Sequence, residues 1–174
     1  MEEHLSAAKE WLDREDSVCR DDRAKRLAWI ASAFPACEYQ FFPGGWMAKY
    51  LFEEARYCFV YGQFLATIVL GCAYMERTLA AMLYGAGRDD LERASASKLF
   101  EEALKSGWLS AEESVYLERA RNIRNPVVHF RQPGHEDTIE RRSVTGNQPS
   151  YSIFEDEARQ VMATVLKLMT RNTV

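Results

Sequence analysis

Apolar residues recur along this chain every three or four positions, the period of α-helices lying on a shared core. Leu5, Ala8, Trp11 and Leu12 share one side of a segment over about residues 2–14. A second segment runs from Asp21 or Asp22, either of which suits an N-cap, to Phe34, where Pro35 stops it. The link 36–45 carries Tyr39, Phe41 and Phe42 and closes on Gly44-Gly45, so it is expected to pack on the body rather than dangle. From about Trp46 to Tyr84 the pattern is apolar on nearly all sides. That predicts one long buried helix, bent at Gly62 or Gly71 and ended by Gly85-Ala86-Gly87.

Helical punctuation continues downstream. Asp89 or Asp90 is placed to cap a helix carrying Leu91, Ala94, Leu99, Phe100, Ala103 and Leu104, which Gly107 ends. Ser110 and Glu113 have the spacing of a capping box, and Tyr116, Ala120, Ile123 and Val127 form the inner face of the helix they open. Residues 131–151 are polar, with Pro133, Gly134, Gly146 and Pro149, and read as a loop with room for a short hairpin over Thr138 to Val144. Ser152 and Glu155 repeat the capping-box spacing before a last helix with Val161, Met162, Val165, Leu166 and Met169 inward. No stretch alternates as a core strand does, and nothing repeats. The expected fold is an all-α bundle.

Composition narrows the class. At 174 residues the chain suits one domain with a sizeable core, and 47% hydrophobic with 28% charged residues excludes a disordered or fibrous protein. The net charge of −4 excludes a polybasic protein, so contact with nucleic acid needs a local basic patch. Tyr57 to Met75 contains no charged residue and is formally long enough to cross a bilayer. Gln63, Thr67 and three tyrosines within it, and the absence of a basic flank, favour a buried central helix and no membrane. Cys19, Cys37, Cys58 and Cys72 form no Cys-x-x-Cys pair and read as reduced, mostly buried thiols of a cytoplasmic protein. With His4, His129 and His135 scattered, neither a metal site nor a cofactor is expected.

One segment carries chemistry. Between 119 and 131 stand Arg119, Arg121, Arg124 and Arg131 and no acid, inside a chain that is acidic overall. On an unbroken helix Arg124 and His129 would point about 140° apart. Pro126 is expected to interrupt the helix, with Asn125 as N-cap and Pro126 as first residue of a restarted one. At such a kink the Arg124 guanidinium and the His129 imidazole could converge on one phosphate.

The run Arg124-Asn125-Pro126-Val127-Val128-His129 resembles the signature of the HEPN family, the higher-eukaryote and prokaryote nucleotide-binding domain: an Arg, commonly followed by Asn, and a His after four to six residues. The apolar residues between them, and the position at the end of a capped helix that follows a long apolar one, extend the resemblance over residues 46–174. Residues 1–45 would be an N-terminal helical extension. The resemblance implies a metal-independent endoribonuclease, of the kind found among toxins and antiviral or stress effectors, with its site at a two-fold homodimer interface. His129 would be the acid–base group and Arg124 the phosphate clamp. Asn125 would either orient that pair or simply cap the helix, and Arg121 and Arg131 would hold the RNA backbone. An antitoxin or other regulatory protein is an implied partner. Some members carry a modifiable Tyr two residues after the His; here that position is Arg131, and that regulation is not carried over. The rival reading is a non-catalytic HEPN module for dimerisation or nucleotide sensing, which the acidic composition favours.

Overall fold

A computed structural model describes residues 1–34 and 39–171, and every regular element among them is helical, as the pattern predicts. The helices are α1 (Glu2–Ala33), α2 (Gly45–Val60), α3 (Phe64–Gly85), α4 (Ala96–Lys105), α5 (Ala111–Val128), α6 (Ile139–Gly146) and α7 (Ser150–Thr170), with a 3-10 turn at Asp89–Leu91. The stop assigned to Pro35 and the thiol of Cys37 lie outside the described residues.

The two expected N-terminal helices are one. Glu15 to Arg20 includes neither Gly nor Pro, so nothing halts α1, and Arg23 reaches back one face to bond Asp16. Its burial starts only at Arg26 and Ile30, which pack against α2 and α7. Residues 2–14 bury no side chain, so Leu5, Ala8, Trp11 and Leu12 are exposed instead of facing a core.

The expected single helix from Trp46 to Tyr84 is an antiparallel pair. Gly62 turns the chain at φ +77°, a conformation costly for any residue with a Cβ, and a Cβ there would also meet the Tyr151 hydroxyl at 3.0 Å. The stretch without charges is thereby divided between α2 and α3. The antiparallel pairing shows in Arg77, whose Nε donates to the Gly44 carbonyl at 3.1 Å, and in Phe52 against Tyr74 with ring centroids 5.6 Å apart. Among the described residues only α3 is long and apolar enough to span a membrane, with half of its most apolar window buried inside the bundle.

α3 is the hub, packed by α2, α4, α5 and α7. Where α3 meets α7, Gly71 lets the backbones close up: a Cβ would stand 2.8 Å from the Val161 Cγ1. Tyr74 lies fully buried nearby and donates to the Met169 sulfur at 3.2 Å, and burial pushes its phenol up to about 12. Val161, Met162, Val165, Leu166 and Met169 of α7 fill the other side, as their spacing predicts, joined by Ala158.

Three starts differ from expectation. α4 begins at Ala96, capped by Ser95, because Leu91 is spent anchoring the 3-10 turn instead of starting a helix. α7 begins at Ser150; Ser152 is already inside it, and Glu155 is taken by Arg26 at 3.0 Å, so no capping box forms there. Residues 139–146 are helical rather than a hairpin, because Ile139 and Arg142, three apart, both turn to one wall while Asn147 in the left-handed region ends the turn.

Candidate functional site

α5 opens as the sequence predicts. Ser110 accepts from the Glu113 N–H at 3.1 Å while Glu113 accepts from the Ser110 N–H at 2.8 Å. Leu117, Ala120 and Ile123 are its buried face. The interruption expected at Asn125–Pro126 does not occur. The helix runs through Pro126 to Val128, and the His129 N–H still bonds the Asn125 carbonyl at 3.0 Å. Pro126 falls in the last turn, where it removes one bond to Asn122, an exposed residue whose carbonyl water can serve.

An unbroken helix sends the two motif side chains apart. Arg124 points to α3, where its Nη1 donates to the Glu76 Oε1 at 3.0 Å and its Nη2 to the Asn125 Oδ1 at 3.4 Å. The Cys72 thiol lies behind them, bonded to the Ala120 carbonyl; burial pushes it up to about 12, against the pull of the Arg124 charge. His129 lies at the end of the helix in extended conformation, exposed, and its imidazole bonds nothing among the described residues. Val128 and Phe130 on either side are exposed as well, Phe130 by 86%. Asn125 serves Arg124 rather than capping a restarted helix.

The basic patch is largely neutralised. Arg121 is bonded to Glu118 at 2.8 Å, and Arg131 lies 3.8 Å from Asp137. With Arg124 on Glu76, only Arg119 of the four arginines lacks an acid partner among the described residues.

His129 and Arg131 do meet in one place, a groove of about 350 Å³ between the end of α5, the following loop, α6 and α7. Phe154 and Ile139 supply apolar wall. Arg142 and Glu157 also line it, bonded to each other at 2.6 Å, with Glu157 only 8% exposed and its Oε2 without a hydrogen-bond partner among the described residues. Arg124, Asn125 and Arg121 do not line this groove. Glu76 and Glu157 escape a reading of the sequence motif, the first because it lies 48 residues from Arg124. Glu157 did leave a trace: it is a carboxylate on the otherwise apolar face of Ile153, Phe154, Ala158 and Val161.

Among the described residues no cluster of three or more His, Cys, Asp or Glu side chains is placed to hold a metal ion. No protein-family model, curated protein or solved structure matches this chain.

Proposed function

We propose that this chain is a HEPN-like domain that cleaves RNA without a metal, acting as a homodimer. The observation that carries the reading is the His129 imidazole, exposed at the end of α5 and bonded to nothing among the described residues. A histidine kept for structure would be buried and hydrogen-bonded. The exposed Val128 and Phe130 beside it are surface for a second copy or for RNA bases to cover.

A two-fold contact that uses the end of α5 twice brings two imidazoles to one phosphate. One removes the proton from the ribose 2′-hydroxyl, and that oxygen attacks the adjacent phosphorus. The bond to the 5′-oxygen breaks, and the leaving oxygen takes a proton from the other imidazole. Arg124 serves by exchanging the Glu76 carboxylate for the phosphate, a like-for-like swap of anions that stabilises the charge on the phosphorane. Such a protein works in the setting of a toxin or antiviral effector, restrained by a regulatory protein.

The test is an oligonucleotide with a single ribonucleotide, incubated with the protein in excess chelator, the product ends being identified by mass. Cleavage to a 2′,3′-cyclic phosphate and a 5′-hydroxyl is expected, with the all-deoxy oligonucleotide inert. Loss of cleavage on chelation, or 5′-phosphate ends, would overturn the reading. The Arg124–Glu76 pair favours one other: a non-catalytic module for dimerisation or nucleotide sensing, whose arginine is structural. RNA bound and left intact by the wild-type dimer is its signature.

A further inference from the structure

The groove beside His129 has more built into it than proton transfer uses. Its charged lining is Asp137, Glu140 and Glu157 against Arg131 and Arg142, one negative charge in excess, which disfavours a phosphate. Phe154, Ile139 and Val127 supply apolar wall beside His129 and Thr138, and its volume of about 350 Å³ accommodates one small aromatic ligand with its sugar. Phe130, 86% exposed, is an open ring lining the same groove. Arg142 holds one oxygen of Glu157 while the other, closed to water, has no donor among the described residues. An acceptor left this way is unfavourable until a donor is brought to it, and a carboxylate turns easily about its last torsion to meet one.

We infer that this groove takes one unstacked nucleobase next to the scissile phosphate, with Glu157 as the residue that reads its edge and guanine as the base it prefers. The inference deepens the ribonuclease reading and takes from it the nucleotide as occupant. Unstacked RNA bases are held by stacking on aromatic side chains and by hydrogen bonds to their edges. Guanine presents two parallel donors, N1–H and the N2 amino group, to an acceptor-only carboxylate. Adenine and cytosine present one amino group beside a ring acceptor. Uracil presents its single N–H between two carbonyls, which a carboxylate repels. The expected order is therefore guanine first and uracil last.

The test is a titration of the full chain, labelled with nitrogen-15, with GMP, UMP and inorganic phosphate, followed by amide shifts. GMP is expected to move the amides of Phe130, Arg131, Thr138 and Ile139 and to bind more tightly than UMP by at least about fivefold, the low end of what one base-edge pair discriminates. Inorganic phosphate should leave those amides unmoved. Glu157→Gln should erase the preference for GMP. Phe130→Ala, a change at an exposed side chain that leaves folding intact, should weaken both nucleotides. Equal affinity for GMP and UMP would overturn the role of Glu157. Shifts confined to other residues, shifts reproduced by phosphate, or none at all would overturn the pocket. Cleavage plays no part in this measurement, so an inert protein that prefers GMP sinks the ribonuclease and keeps the pocket, while an active one that ignores GMP does the reverse.

Discussion

Arg124 of α5 donates through Nη1 to the Oε1 of Glu76 on α3, at 3.0 Å, and thereby turns away from the groove that His129 lines. Both side chains are partly exposed, so the pair is worth at most about 1 kcal/mol, a small barrier to exchanging Glu76 for a phosphate. Glu76→Gln is expected to keep or raise RNA cleavage by freeing the guanidinium. Arg124→Ala should lower cleavage by about 10²-fold or more, and Arg124→Lys should not restore it, because a point charge lacks the planar fork. Cleavage rates of the three purified variants check this. Full activity in Arg124→Ala would remove the clamp.

His129 separates chemistry from stability. It is exposed and bonds nothing among the described residues, so His129→Ala should change stability by no more than about 0.5 kcal/mol. Cleavage should fall by roughly 10²- to 10⁴-fold, the usual contribution of a positioned acid–base group. Thermal melts beside cleavage assays read both. A variant that unfolds would make His129 a structural residue, and one that still cleaves would remove its catalytic role.

At Gly71 the backbone of α3 comes close to the side chains of α7. A Cβ there would stand 2.8 Å from the Val161 Cγ1 and 3.2 Å from the Val165 Cγ2, both on fully buried residues. Gly71→Ala is expected to destabilise the protein by about 1–3 kcal/mol through overpacking. Adding Val161→Ala should recover part of that loss, although Val161→Ala alone also destabilises. Denaturant unfolding of the double-mutant cycle measures the coupling; purely additive effects would count against a close contact here.

Glu102 ties α4 to the turn after α3. Arg88 bonds it at 2.6 Å and Lys98 at 3.0 Å, with Lys105 at 3.3 Å, and these cations hold its carboxyl down at about 2, from an ordinary 4.5. A carboxylate with a lowered pKa in the folded state contributes stability above its unfolded value and loses it as pH falls through the folded one. The gap in Tm between wild type and Glu102→Gln should therefore be widest above pH 4.5 and close toward pH 2. A gap independent of pH would show that the three cations do not act through the charge of Glu102.

The features that the sequence determined by itself are those settled within a turn or two of chain. The Ser110–Glu113 box, the stop at Gly107 and the inward face of α7 from Val161 to Met169 rest on hydrogen bonds and side-chain spacings between near neighbours, and they stand as the pattern predicts. So does the all-α class, because apolar periodicity is a local property. Tertiary structure decided the rest. Gly62 is legible as one of two places for a bend, but that the bend is a full reversal into an antiparallel pair depends on α2 packing back on α3, as in Phe52 against Tyr74. The helix at 139–146 forms because Arg142 finds Glu157 on α7, and α5 continues through Pro126 because losing one terminal bond costs less than abandoning the packing of Val127 on the core. The motif is legible as a string from Arg124 to His129. That its two ends face different surfaces, and that a buried glutamate lies in the groove beside the histidine, depends on contacts between residues dozens of positions apart, which no spacing along the chain records.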